Sequence, residues 1–156
     1  MKTFWIRTAS ATVYALLFVG SIYSGRLIGS KDWGIVILTL FALFVALGCS
    51  FEYYRIAAMH NHHPNRSLGY FFTTCMVLAI GVLPLSEPME GAGIIIAALL
   101  GCILFVSLPI TLIVQLWHDS EQPFGDALHT LLPTIYCALP LGLMPLLHYE
   151  YNILMM

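Results

Sequence analysis

Three histidines stand close together in one polar segment and are the first candidates for metal chemistry. His60, His62 and His63 fall between two long apolar runs, and imidazole nitrogens bind zinc, nickel and copper. Their spacing lacks the i, i+4 placement of a helical zinc motif, and no cysteine or carboxylate lies beside them. The pattern therefore favours an interhelical loop over a metal site, and we predict no metal ligand in this segment.

A second candidate is the most acidic connection of the chain, which contains Asp119, Glu121 and Asp126. Carboxylate oxygens are the ligands that divalent cations such as magnesium and calcium prefer. Three acids scattered along a loop more often form a solvated face. We therefore predict a surface loop here and assign no metal ligand to it.

A third set of residues has the chemistry to contact a lipid phosphate. Glu52 and Arg55 follow the second apolar run, Arg66 precedes the third, and Arg7 precedes the first. A guanidinium group pairs with phosphate through two parallel hydrogen bonds, so these side chains could position an anionic lipid. Basic residues beside a membrane span also serve as topology anchors, and the sequence leaves both roles open. No residue of the chain is identified as catalytic.

The surrounding composition is typical of a membrane protein. Of the 156 residues, 60% are hydrophobic and 9% are charged, against about 25% charged residues in soluble domains. The mean hydropathy is +0.88. The formal net charge of −2 offers no basic surface for nucleic acid, which is excluded as a partner. The isolated cysteines, which lack the pairing of zinc or redox motifs, are expected to be small core residues: Cys49, Cys75, Cys102 and Cys137.

The charged residues divide the chain into five apolar windows. Most windows reach the roughly 17–25 residues that a helix needs to cross a bilayer, and a helix satisfies its backbone hydrogen bonds internally. We predict an all-α, polytopic integral membrane protein with one transmembrane domain over residues 1–156. The five predicted spans are 8–25, 34–51, 67–85, 92–117 and 128–147.

Two features of the windows predict their shape and orientation. Pro133, Pro140 and Pro145 predict a bent last span, because proline lacks the backbone donor that a helix uses. Tyr136, near the middle of that span, is expected to bond a neighbouring helix or to face a cavity. The basic residues on the side of the N-terminus outnumber those on the other side, which favours a cytoplasmic N-terminus. They are Lys2, Arg7, Arg55 and Arg66, against Arg26 and Lys31.

Three stretches, taken together, resemble one enzyme family. They are Trp5-Ile-Arg7-Thr-Ala9, Glu52-Tyr53-Tyr54-Arg55-Ile56 and Thr130-Leu-Leu-Pro-Thr-Ile135-Tyr136-Cys-Ala-Leu139-Pro140-Leu141. In order and spacing they are similar to the N-terminal transmembrane portion of bacterial phosphatidate cytidylyltransferases, also called CDP-diacylglycerol synthases. The resemblance implies an enzyme of the bacterial inner membrane that joins phosphatidic acid to CTP with the help of magnesium. Its products, CDP-diacylglycerol and pyrophosphate, belong to phospholipid synthesis.

The catalytic signature of that family lies in its C-terminal half. It consists of a segment rich in Ser and Lys followed by His-Gly-Gly and Asp-Arg-x-Asp, and no residue of this chain matches it. We therefore expect the chain to be the membrane portion of such an enzyme, to contain no magnesium ligand and to be inactive by itself. The alternative is a small non-enzymatic membrane protein that binds lipid or a partner through helix packing. Either protein could form a homo-oligomer.

Overall fold

The computed structural model describes residues 12–13, 15–24, 31–60, 62–82, 85, 92–117 and 122–154. This part of the chain is helical, as predicted, and contains no strand. The helices are α1 (Ala15–Ser24), α2 (Lys31–Met59), α3 (Arg66–Val82), α4 (Ala92–Trp117), α5 (Pro123–Pro133) and α6 (Leu139–Leu154). A π-helical segment, Thr134–Ala138, joins the last two.

Three helical stretches are long and apolar enough to cross a membrane. They are Asp32–Met59, Leu100–Trp117 and Pro123–His148. Two further apolar helices, Ala15–Ser24 and Arg66–Gly81, are shorter. The 17 residues of α3 extend over about 25 Å, somewhat less than the roughly 30 Å of a hydrocarbon core. The protein is therefore a helical, membrane-embedded chain.

The predicted boundaries agree with the structure to different degrees. The fourth predicted span, 92–117, coincides with α4. Helix α2 continues beyond the second predicted span, 34–51, to Met59, and no proline or glycine follows Phe51 within it. Helix α3 ends at Val82, before the end of the third predicted span, 67–85. Pro84 follows shortly, and a residue that precedes proline is disfavoured in a helix.

The last span begins earlier than the predicted residue 128, because Pro123 starts α5. A proline suits the first turn of a helix, where its missing N–H has no intrahelical partner to lose. Of the first predicted span, 8–25, residues 12–13 and 15–24 are helical, and the rest lies outside the described residues.

The irregularity expected in the last span takes the form of the π-helical segment, which lies between Pro133 and Pro140. In it the N–H of Leu139 donates to the carbonyl of Thr134, five residues earlier, which is the hydrogen-bond pattern of a π-helix. Tyr136 belongs to this segment and is 73% exposed. Tyr136 therefore does not bond a neighbouring helix, which is the first of its two predicted roles, while the second role, facing a cavity, stays a prediction.

The core lies where α3 packs against α2, α4 and α6. Its buried side chains come mainly from α2 and α3 and are Ala42, Ala46, Met76, Val77, Ile80 and Ala138. Small residues let membrane helices approach closely and gain dispersion contacts. The expectation that all four cysteines are core residues is wrong for two of them: Cys49 and Cys102 are exposed, because small apolar side chains also suit a lipid-facing surface.

Several buried hydroxyl groups in the spans bond to the backbone of their own helix. Thr39 donates to the carbonyl of Ile35 at 2.8 Å, and Ser50 donates to that of Ala46 at 2.8 Å. A hydroxyl without such a partner is costly in an apolar surrounding. These local bonds therefore allow polar residues to remain inside apolar helices.

Helices α2 and α3 approach each other closely at Gly81, which leads to a testable prediction. A methyl group added there would overlap the side chain of Thr39, whereas the same group at Gly48 meets nothing within 4 Å. Thr39 is buried and β-branched, so it cannot move aside easily. We expect Gly81→Ala to lower the free energy of unfolding in detergent micelles by about 1–3 kcal/mol.

The matched control is Gly48→Ala, which is expected to be neutral or to stabilise by up to about 1 kcal/mol, because alanine favours the helix over glycine. Chemical denaturation followed by circular dichroism measures both variants. Equal stability of the two would contradict the packing of α2 on α3.

Candidate functional site

Polar side chains of the described residues gather at one end of the helices. The last turns of α2, residues 62–65, the start of α3 and the first turns of α5 meet there. We call this group the polar cluster, and its members are Tyr53, Tyr54, His62, Asp126, His129 and Thr130.

Two consecutive tyrosines of α2 reach two consecutive residues of α5. The Tyr54 hydroxyl donates to the Thr130 carbonyl at 2.8 Å, and its side chain is fully buried. The Tyr53 hydroxyl and Nδ1 of His129 are 2.6 Å apart and share a hydrogen bond. Gly69 of α3 makes room for this contact, because a methyl group at that position would overlap the Tyr54 hydroxyl. These contacts fix α2 against α5 under the first turns of α3.

Asp126 is the buried acid of the cluster. It lies in the first turn of α5 and is 2% exposed. Its Oδ1 accepts a hydrogen bond from the His63 backbone N–H at 2.9 Å and lies 3.5 Å from Nδ1 of His62. The positive end of the helix dipole also favours a carboxylate there. The predicted solvated loop is therefore wrong for Asp126, while Asp119 and Glu121 lie outside the described residues.

The segment between α2 and α3 is held from three sides. Asn65 donates its backbone N–H to Oγ1 of Thr130 at 3.0 Å, and its side-chain oxygen accepts from the N–H of Leu68 at 3.3 Å. The second contact caps the N-terminus of α3. On the side of α4, Nε2 of Gln115 donates to the His63 carbonyl at 3.3 Å. This predicted loop is therefore fixed by α3, α4 and α5.

The imidazoles of His62 and His129 stack, with ring centroids 4.1 Å apart and an interplanar angle of 39°. His62 Nδ1 is buried and makes no hydrogen bond shorter than 3.5 Å. If His62 is protonated, this nitrogen can form an ion pair with Asp126. The Tyr53–His129 bond and the His62–Asp126 pair are both arrangements that can hold or move a proton.

The histidines and the aspartate of the polar cluster are of the residue types that bind metal ions. Nowhere in the described part of the chain do three histidine, cysteine, aspartate or glutamate side chains come together in an arrangement that could hold a metal ion. Residues of the polar cluster contact one another instead of converging on a common point, as in the Tyr53–His129 bond. The described residues therefore provide no set of ligands for the magnesium ion that the family resemblance implies.

Three of the predicted lipid-phosphate residues, Glu52, Arg55 and Arg66, lie at the same end of the helices as the polar cluster. Glu52 and Arg55 are exposed near the end of α2, and Arg66 is the exposed first residue of α3. Arg7 lies outside the described residues. The structure thus brings Arg55 and Arg66 to neighbouring helix ends.

Sequence reasoning missed most of the polar cluster. One signal was present: Asp126, His129 and Thr130 are spaced i, i+3 and i+4, which places them on one face of a helix. It was overlooked because Asp126 was assigned to the preceding loop.

Comparisons of the chain with family models, with curated proteins and with solved structures found no match.

The hydrogen bond between Asp126 and the His63 amide leads to a prediction about the segment between α2 and α3. In Asp126→Ala the partly buried N–H of His63 loses its acceptor, which costs about 1–3 kcal/mol. We expect the His63 amide to exchange with deuterium about 10- to 100-fold faster, since each 1.4 kcal/mol is a factor of ten. Hydrogen exchange read by mass spectrometry measures the change.

Asp126→Asn is the matched control, because it keeps the side-chain oxygen that accepts this bond. It should retain most of the protection at His63, and amides in the middle of α4 should be unaffected by either change. Unaltered exchange at His63 in Asp126→Ala would show that the carboxylate does not hold the segment.

The contact of Tyr54 with Gly69 and Thr130 leads to a double-mutant prediction. Tyr54→Phe removes one buried hydrogen bond and should destabilise by about 1 kcal/mol. Gly69→Ala should destabilise by about 1–3 kcal/mol through overlap with the Tyr54 hydroxyl. Because Tyr54→Phe removes the hydroxyl oxygen, the nearer of the two overlapped Tyr54 atoms, we expect the double variant to lose less stability than the sum of the single variants.

Thermal unfolding in micelles measures all three variants. Tyr136→Phe is the control, since that hydroxyl lies on an exposed ring, and it should leave stability unchanged. Strict additivity of the two changes would contradict the close approach of Gly69 to Tyr54.

Proposed function

We propose that this chain is the membrane portion of a phosphatidate cytidylyltransferase of the bacterial inner membrane. In this proposal all five apolar segments cross the bilayer and the N-terminus is cytoplasmic. The polar cluster, Arg55 and Arg66 then lie at the cytoplasmic headgroup layer, where CTP is available. The substrates are phosphatidic acid and CTP, and the products are CDP-diacylglycerol and pyrophosphate.

The supporting observation is the contact between two stretches that carry the family resemblance. Tyr54 belongs to the first of them, Glu52 to Ile56, and Thr130 begins the second, Thr130 to Leu141. The two residues are 76 positions apart and share a buried hydrogen bond of 2.8 Å. These two stretches pack together through α2 and α5. The residues that carry the resemblance therefore belong to one structural unit rather than to unrelated helix ends.

The proposed reaction determines which charged groups the site must contain. An oxygen of the phosphatidate phosphate attacks the α-phosphorus of CTP, a new P–O bond forms, the bond between the α- and β-phosphates breaks, and pyrophosphate leaves. Both reactants are anions, so cationic groups must offset their charge. By resemblance, magnesium supplies part of that charge. This chain contributes the helical framework and arginines that can pair with a lipid phosphate.

A second candidate is a non-enzymatic membrane protein that binds a partner, or another copy of itself, through helix packing. The observation in its favour is the outward face of α4. Phe105 is 82% exposed and Trp117 is 84% exposed on this helix. Lipid alone can cover such a face in a membrane, so the surface is compatible with both candidates.

A chimeric enzyme tests the proposal directly. Residues 1–156 would replace the corresponding N-terminal helices of a bacterial phosphatidate cytidylyltransferase, and the chimera would be produced in membranes. We expect transfer of labelled CTP into CDP-diacylglycerol by the chimera and none by residues 1–156 alone. Thin-layer separation of the labelled lipid measures both.

A control chimera would carry five apolar helices from an unrelated membrane protein and should be inactive. A well-expressed but inactive chimera with residues 1–156 would overturn the proposal. Incorporation of labelled CTP by residues 1–156 alone would instead exclude the non-enzymatic candidate.

A further inference from the structure

An open groove runs along the outer surface between α2 and α3. Its lining residues are Leu47, Phe51, Tyr70, Phe71 and Thr74, and its volume is about 540 Å³. This volume falls within the roughly 300–1,000 Å³ of small-molecule sites. Aromatic and aliphatic side chains form most of the wall, and Phe51 and Phe71 are both more than half exposed. The groove therefore suits an apolar chain.

Both helices carry an arginine in line with this groove. The residues, spaced by four along each helix, are Leu47, Phe51 and Arg55 on α2, and Arg66, Tyr70 and Thr74 on α3. Residues at i and i+4 lie on the same face of a helix, so each lining stripe continues into a guanidinium group.

The two arginines belong to the same end of the groove because α2 and α3 are antiparallel. The rings of Tyr54 and Tyr70 are 5.4 Å apart near one end, and Thr39 packs against Gly81 near the other. Arg55 and Arg66 are both exposed. The groove thus has an apolar body and a cationic end.

We propose that this groove binds an anionic glycerophospholipid, with one acyl chain against Phe51 and Phe71 and the headgroup phosphate at Arg55 and Arg66. Phosphatidate fits best, because its phosphomonoester carries more negative charge than a phosphodiester and can accept hydrogen bonds from both guanidinium groups. This inference rests on the proposed function in naming phosphatidate, and it assigns the lipid a place on this chain.

The charges around the groove favour a lipid over a helix of a second copy. Glu52 lies three residues before Arg55 and offsets part of the positive charge, which leaves an excess of one cation among Glu52, Arg55 and Arg66. The exposed face of α4 could fill an apolar groove, but α4 contains no charged residue. Only an occupant with both an apolar chain and an anionic group matches both parts of the groove.

Spin-labelled lipids test this assignment on the full chain reconstituted in phosphatidylcholine vesicles. Electron paramagnetic resonance separates lipid immobilised by the protein from free lipid. We expect labelled phosphatidate to be immobilised in preference to labelled phosphatidylcholine. Arg55→Gln and Arg66→Gln should each lower that preference, by about fivefold at low ionic strength. Thr74→Trp should reduce immobilisation of phosphatidate by filling the groove.

Ile113→Trp is the matched control for the added ring, because Ile113 is an exposed residue of α4 outside the groove. It should leave the lipid preference unchanged, and so should an excess of inorganic phosphate. Unchanged helical circular dichroism verifies that each variant is folded.

Three results would overturn the inference: equal immobilisation of the two lipids by the unaltered chain, no effect of either arginine change, or an effect of Thr74→Trp on dimerisation alone. Because the measurement contains no CTP, it is independent of the chimera. An active chimera without lipid preference would overturn only this inference, whereas lipid preference with an inactive chimera would overturn only the proposed function.

Discussion

The buried hydrogen bond from the Tyr54 hydroxyl to the Thr130 carbonyl is the contact on which the arrangement of α2, α3 and α5 depends. It links two residues that are 76 positions apart. It lies beside Gly69 of α3, where a side chain would overlap the Tyr54 hydroxyl. A buried tyrosine hydroxyl must find an acceptor, because an unpaired polar group in an apolar interior is costly. The need of the Tyr54 hydroxyl for an acceptor therefore helps to position α2 on α5, together with the neighbouring bond between Tyr53 and His129.

The same requirement explains why the loop between α2 and α3 is ordered by side chains of other helices. The backbone donors of His63 and Asn65 find acceptors on Asp126 and Thr130 of α5. Asp126 in turn is kept in a buried position by the His63 donor and by the start of its own helix. Removal of the Asp126 carboxylate would thus leave the His63 amide without its acceptor, and removal of the Thr130 hydroxyl would do the same to the Asn65 amide.

Much of the fold could be predicted from the distribution of charge, because a helix that crosses a bilayer must be long and apolar. The prediction of 92–117 coincides with α4 for this reason. The helix ends differ from the predicted span ends where a helix continues past its apolar part, as α2 does from Glu52 to Met59. The end of the apolar run indicates a change of environment rather than the end of the hydrogen-bonded helix.

The polar cluster could be predicted only in part, because its contacts join residues that are far apart in the chain. The i, i+3, i+4 spacing of Asp126, His129 and Thr130 was visible, but their partners on α2 were not. Tyr136 shows the converse error. Its polar group suggested a contact inside the bundle, yet the π-helical segment between two prolines turns it outward. A shift of register within a helix changes which face a residue occupies. Such a shift cannot be predicted from the hydropathy of the sequence.

Adjacent residues at the end of α2 therefore contribute to two different surfaces, one inside the helix bundle and one outside it. Tyr54 is directed inward to Thr130, whereas Arg55 is exposed beside the groove. Neighbouring residues of a helix differ by about 100° in direction, so a short polar stretch can contact a core and a lipid surface at once. The hydrogen bonds of the cluster hold the end of α2 and the segment before α3 against α5, and the walls of the groove belong to α2 and α3. The inner contacts thus help to position the two helices whose outer surface we assign to the lipid.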